Sequence, residues 1–442
     1  GDIWGDLRSG GEIVLTAGAA GGDIILPQTS LSAAGDVTLT AAAGTVAHSE
    51  GLLAALVLAA TARDGVTANA LVQSLDVLVT GAGNIEIDNA GSVMLTRLDA
   101  TNGSIVIRAL GAITALDVIT RGDSDANDIE LTTLAAGAAP ADLDVRRLIA
   151  NGAGDIVLNV QGGFTQRTPA GGGSDIVADA LSLGVLGGVT LYTQVASLSV
   201  ITQAAGDVVV IQSGSGALTV ANTAVLDGAF TLAHPFGSVA LEHLELRTNR
   251  DGNDVTVTAG GGIQVGFVKA GDYYTSLADV PTPTAGAEAG VSAHGDVALV
   301  SGGAITESGS DGGVDLIGDQ VSLQAATGIT GLELAANELL AVRTDAGDVV
   351  LSESDGRGEN SPGLTVSLAE ASNGSVSITS QEGLVVRMAV AGGVSAVVRV
   401  TSVNGNLEVV DPGAGAADAI QATGGVALSA GGDIASYKFF QG

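Results

Sequence analysis

The chain has 442 residues, 46% of them hydrophobic, with 66 Gly, 8 Pro, no Cys and a formal net charge of −32. So much aliphatic residue beside so little proline excludes a disordered Pro/Gly-rich polymer, and the missing cysteine excludes a disulfide-stapled scaffold. With two lysines (Lys269, Lys438) and scattered arginines as its only fixed cations, the surface repels nucleic acid and anionic membranes, so neither a nucleic-acid partner nor membrane insertion is expected.

From the first residues onward one phrase recurs: glycine or asparagine, a small polar residue, then apolar, any, apolar. It reads Gly22-Asp23-Ile24-Ile25-Leu26 and Gly35-Asp36-Val37-Thr38-Leu39, and later Gly83-Asn84-Ile85-Glu86-Ile87, Gly154-Asp155-Ile156-Val157-Leu158, Gly295-Asp296-Val297-Ala298-Leu299 and Gly347-Asp348-Val349-Val350-Leu351. Each copy predicts a turn followed by an alternating strand. The Asp or Asn after the glycine is expected to cap local backbone N–H groups or to form ladders between coils, with no catalytic part. The chain opens at Gly1-Asp2-Ile3-Trp4 already in this style, without a signal-peptide pattern, and reads as a mature stretch of something longer.

The first ambiguous segment is Leu52–Ala60. Its Leu and Ala content is helix-forming, and it is too short to cross a bilayer. Its Leu56-Val57-Leu58 lies nineteen residues after Val37-Thr38-Leu39, which favours a strand in register with the earlier one. Between Leu181 and Val220 strand pairs start every eight to ten residues. Val297-Ala298-Leu299 and Val321-Ser322-Leu323 lie twenty-four apart, and Gly303-Ala304-Ile305 is echoed by Gly328-Ile329. A half-coil of eight to ten residues nested in a coil of nineteen to twenty-four predicts an all-β chain: a parallel β-helix (β-solenoid), one elongated domain running from 1 to 442. At roughly 20 residues per coil and about 4.8 Å between stacked strands, the rod would be on the order of 100 Å long.

Interruptions of the phrase mark loops at Arg121–Asn127, Arg167–Ser174, Asn249–Asn253, Asp272–Gly290 and Glu353–Gly363. The 272–290 insertion carries Tyr273, Tyr274, Pro281 and Pro283 and is the expected site of partner contact, because long solenoid loops often carry binding. Asp123, Asp125, Asn127 and Asp128 alternate oxygen-bearing side chains in the manner of a calcium loop. No closing glutamate follows at the twelfth position, so solvated turns compete with calcium there. The four histidines (His48, His234, His243, His294) show no metal-ligand spacing and read as surface or turn residues. Ser436–Gly442 gathers Tyr437, Phe439 and Phe440 and reads as a terminal cap or a junction.

Two stretches carry a family resemblance. Val37-Thr38-Leu39-Thr40-Ala41-Ala42-Ala43-Gly44-Thr45-Val46 runs on through Gly51–Ala59, and Val297–Ile305 continues through Asp319–Ile329. Both resemble the degenerate Leu-x-Leu-x-Ala strands and Gly-Ile turns of filamentous-haemagglutinin-like large exoproteins of Gram-negative bacteria. The resemblance implies a right-handed parallel β-helix, a secreted or cell-surface location, and a structural or adhesive role with host or neighbouring cell surfaces or glycans as partners. From the residues themselves, no enzymatic activity and no obligatory cofactor is expected, calcium apart. Exposed strand edges at the two ends would let copies add head to tail as a homo-oligomer or filament. The competing function is a carbohydrate-active enzyme, a lyase or hydrolase, on the same scaffold. Such sites pair carboxylates with aromatic sugar platforms, and the chain's eleven aromatics (one Trp, four Tyr, six Phe) are a thin supply.

Overall fold

The computed structural model describes residues 6–18, 21–137, 139–167, 174–271, 295–309, 312–353, 363–410 and 419–436. The segments holding Tyr273, Tyr274, Pro281, Pro283, His294 and 437–442 lie outside them. The described residues form 45 strands and no helix, and the strands pair in parallel as a β-solenoid. The chain divides into two compact units, Gly1–Gly214 and Ser215–Gly442.

Within the first unit, each regular coil contributes a five-residue strand and two three-residue strands, giving three faces. On the first face Ile85, Ile105, Ile129, Ile156, Leu181 and Leu198 stack in register, so successive coils take 20, 24, 27, 25 and 17 residues. The second face stacks Val93, Ile113, Leu143 and Phe164. The third stacks Leu98, Val118, Leu148 and Ile176. Alternation explains the interior: in Ile105–Ala109 the first, third and fifth residues are buried while Val106 and Arg108 face outward. Each buried Ile or Leu contributes about 1.5–3 kcal/mol, and the strand ladder satisfies the backbone between coils.

The second unit repeats the plan. Phe230, Val255, Val297 and Val321 stack on one face at intervals of 25, 42 and 24 residues. Val239, Ile263, Ile305 and Ile329 form the next face, and Leu244, Val268, Leu316 and Leu334 the third. The 24-residue repeat from Val297 to Val321, with Ile305 beneath Ile329, is the register expected from the sequence.

Two local expectations change. Val46–Ala62 is one continuous strand, as expected over Leu52–Ala60, but Val37 pairs with Leu58 rather than Leu56, twenty-one residues on. Leu56 is 45% exposed while Ala60 is buried. The register shifts between His48 and Leu53, and that bulge moves the apolar pattern off the simple repeat. His48 and His234, expected as surface or turn residues, are fully buried, His234 at the end of the strand Phe230–His234. Each places Nε2 2.7 Å from a carbonyl of the preceding coil, Thr29 O and Gly216 O.

Candidate functional site

The corner at 121–128 holds the four residues with calcium-loop spacing, and the next coil already uses one carboxylate oxygen each of Asp123 and Asp128. Asp123 Oδ1 accepts from the Ala153 N–H at 3.1 Å, in the next coil. Asp128 Oδ1 accepts from the Asp155 N–H at 3.0 Å, and the Asn127 carbonyl accepts from the Thr120 hydroxyl at 2.7 Å. Asn127 is only 2% exposed and turns its side chain inward, whereas Asp125 is exposed. Neighbouring Arg121 forks onto Asp99, with Nε–Oδ1 at 2.7 Å and Nη2–Oδ2 at 2.6 Å. The structure therefore brings Asp123, Asn127 and Asp128 to one corner, and Asp123, Asp125 and Asp128 do not form a trio of carboxylates within 4.8 Å of one another.

The turn aspartates do more than cap their own turns. Asp155 Oδ1 accepts from the Ala180 N–H at 3.0 Å, and Asp296 Oδ1 from the Gln320 N–H at 3.0 Å. Asp254 Oδ1 receives the Asp296 N–H in turn, and Asp348 Oδ1 the Ser375 N–H. The carboxylate of one coil thus binds the backbone of the next, so the ladder between coils is the observed arrangement. The turn glycine is required by the same stacking: a Cβ at Gly154 would lie 2.5 Å from the Asn127 carbonyl, and one at Gly295 would collide with that of Asn253. Burial raises the pKa of Asp155 and of Asp296, the backbone hydrogen bond opposes the shift, and the neighbouring aspartates add to it.

A different corner concentrates charge. In the second unit Glu307 ends the strand Ile305–Glu307, and Asp315 immediately precedes the strand Leu316–Ala325. Glu333 lies one coil on, in the strand Ile329–Thr344, beside a bulge at Gly331 whose φ is 84°. The carboxylate oxygens of the three lie within 4.8 Å of one another, the single such trio among the described residues. Asp315 is 2% exposed; its N–H donates to the Glu333 carbonyl and its Oδ2 accepts the Glu333 N–H, both at 2.9 Å. Glu333 Oε2 is buried and receives no hydrogen bond. Burial above all pushes the Asp315 carboxyl up to about 7; the Glu333 N–H opposes this, while the Glu333 carboxyl and the charge of Glu307 reinforce it.

The chain matches no protein-family model, no curated protein and no solved structure among those compared. Its chemistry is therefore read from its own geometry. Sequence reasoning passed over Glu307, Asp315 and Glu333. The available signal was faint: an acid set directly before an apolar pair, Asp315-Leu316-Ile317 and Glu333-Leu334-Ala335, repeated eighteen residues apart.

Proposed function

We propose that the chain is a structural and adhesive segment of a secreted or cell-surface protein, of the filamentous-haemagglutinin-like kind, from a Gram-negative bacterium. The observation that carries this reading is cohesion between coils at every level. Backbone ladders join the faces, turn carboxylates bind the N–H groups of the following coil, and ion pairs such as Arg147–Asp117 (2.9 Å) and Arg167–Asp144 (2.8 Å) span adjacent coils in the first unit. A chain so cross-tied has few segments that open locally, which suits a load-bearing, protease-resistant surface element. The acidic surface keeps such an element soluble and limits lateral association.

The 272–290 insertion, with Tyr273, Tyr274, Pro281 and Pro283, is assigned the contact with a host or neighbouring cell surface or its glycans, and the terminal coils the end-to-end contact between copies. The alternative is a carbohydrate-active enzyme. The feature nearest to its requirements is the carboxylate trio, and burial of Asp315 against substrate argues for a structural role instead. Deleting 272–290 from the full chain tests the assignment. Loss of binding to cells or arrayed glycans, with protease resistance retained, supports adhesion through that segment. Retained binding removes it, and turnover of a polysaccharide by the intact chain would establish the enzyme.

A further inference from the structure

The trio is best understood against the same position in the first unit. There the residue immediately before the third-face strand is Asp76, Arg97, Asp117 and Arg147 in successive coils. Charges alternate, and Arg97–Asp76 (2.7 Å) and Arg147–Asp117 (2.9 Å) pair across the coils. In the second unit the equivalent residues are His243, Phe267, Asp315 and Glu333. His243 and Phe267 stack, with ring centroids 5.0 Å apart and an interplanar angle of 19°. Asp315 and Glu333 then follow as adjacent carboxylates, Glu307 closes on them, and no described Arg or Lys forms an ion pair with Asp315 or Glu333. Two adjacent carboxylates without a counter-charge repel each other at short range in a medium of low dielectric. The buried, unpartnered Glu333 Oε2 marks where the positive charge is missing.

We propose that Glu307, Asp315 and Glu333 bind a hard divalent cation, calcium by preference. All three donors are oxygens, the ligand type calcium selects. Oxygens on opposite sides of one calcium ion stand about 4.6–5.2 Å apart, twice the usual calcium–oxygen distance, so a trio within 4.8 Å fits a single coordination shell. Magnesium, with its shorter and stricter octahedral shell, is the poorer match. Two ligands come from one coil and the third from the next. The ion would close the corner between residues 307 and 315 and join the two coils, the task that an arginine performs in the first unit.

The test uses the full chain, stripped with chelator and titrated with calcium chloride at about pH 8, above the ordinary carboxylate range. Calorimetry should show a site whose affinity falls about tenfold or more in Glu333→Gln and in Glu307→Gln, because calcium affinity follows the ligand charge count. Calcium should also raise the melting temperature of the wild type and not of the variants. At a hundredfold excess over Kd the folded-to-unfolded ratio rises about 100-fold. Glu307 stands at the half-buried rim, so its variant keeps the test meaningful should Asp315→Asn fail to fold. Absence of calcium binding, or equal affinity in wild type and variants, overturns the proposal. A melting temperature that responds to pH but not to calcium would assign the missing charge to a shared proton. Binding lost in Asp123→Asn but kept in Glu333→Gln would move the site to the corner at 121–128.

Discussion

The two units build the same three-faced coil and treat one corner differently. Before its third face the first unit alternates Asp76, Arg97, Asp117 and Arg147; the second sets a His243–Phe267 stack and then Asp315 against Glu333. The inward residues on either side of that corner are otherwise the same kind in both, buried Leu, Ile, Val and Ala, except that Glu307 takes the place of Val265 one coil on. Backbone ladder and interior therefore specify the coil, and the corner position tolerates ion pairs, rings or a carboxylate cluster. Difference at the corner is thus more informative about chemistry than anything in the core.

The largest expected effect lies in what the units share. Leu131→Ala in the first unit and Leu299→Ala in the second each remove a fully buried side chain and should cost about 2–5 kcal/mol. Stacked repeats need not unfold in one step, so the measurement is hydrogen exchange read separately in each unit. Costs that differed by more than about twofold would mean that the two interiors are not equivalent.

Next in size is a transfer of one unit's solution to the other. Glu333→Arg recreates the alternation of Asp117 and Arg147 beside Asp315. A charged hydrogen bond to a buried carboxylate should stabilise by about 1–3 kcal/mol at neutral pH, and the variant should no longer respond to calcium. A variant that melts below the wild type in chelator would show that the corner cannot hold a guanidinium, and the comparison between the columns would fail.

Much of this architecture could be read from the residues, and the limits have physical causes. The 24-residue step from Val297 to Val321 was legible because both strands carry large aliphatics at their first two inward positions. At Leu52–Ala60 the same reasoning found the strand and missed its register by two, because Leu and Ala alternate there without saying which faces in; Leu56 is exposed and Ala60 buried. Three-residue strands such as Leu148–Ala150 are too short to declare a period, so three faces read as a half-coil. The trio was hidden among 48 acidic residues, and only the fold brings Glu307 next to Glu333. At Asp123, Asp125, Asn127 and Asp128 the calcium-like spacing coincides with a structural use that only the fold reveals: the next coil's N–H groups bind Asp123 Oδ1 and Asp128 Oδ1.

A smaller effect sharpens the first unit's side of the comparison. Arg147→Ala removes a half-exposed partner of Asp117 and should cost about 0.2–1 kcal/mol, less at high salt. Arg121→Ala should cost more, because Asp99 is 7% exposed and would lose a two-pronged partner. Equal costs, measured by denaturant midpoint, would mean that burial of the carboxylate is not what sets the value of these pairs.

The smallest expected effect concerns the ladder both units share. Asp155 and Asp296 each follow a turn glycine, each accept a backbone N–H from the next coil at 3.0 Å, and each have a pKa raised chiefly by burial. A native pKa above the unfolded value means that the folded chain holds the proton more tightly. Stability then falls as pH rises from the ordinary aspartate value, about 4, through the raised native one. At neutral pH each charge is therefore a cost, relieved by acid. Asp155→Asn and Asp296→Asn keep a carbonyl oxygen for the Ala180 and Gln320 N–H groups and delete the charge. Both should melt slightly above the wild type at neutral pH, with the gap closing as pH falls to about 4. A gap that ignored pH would point to a cause other than charge. A variant less stable at neutral pH would show that the carboxylate's stronger hydrogen bond to the next coil outweighs its burial. The sign of one melting difference thus decides whether these aspartates are kept as the best acceptors for the ladder or as tolerated charges on an acidic surface.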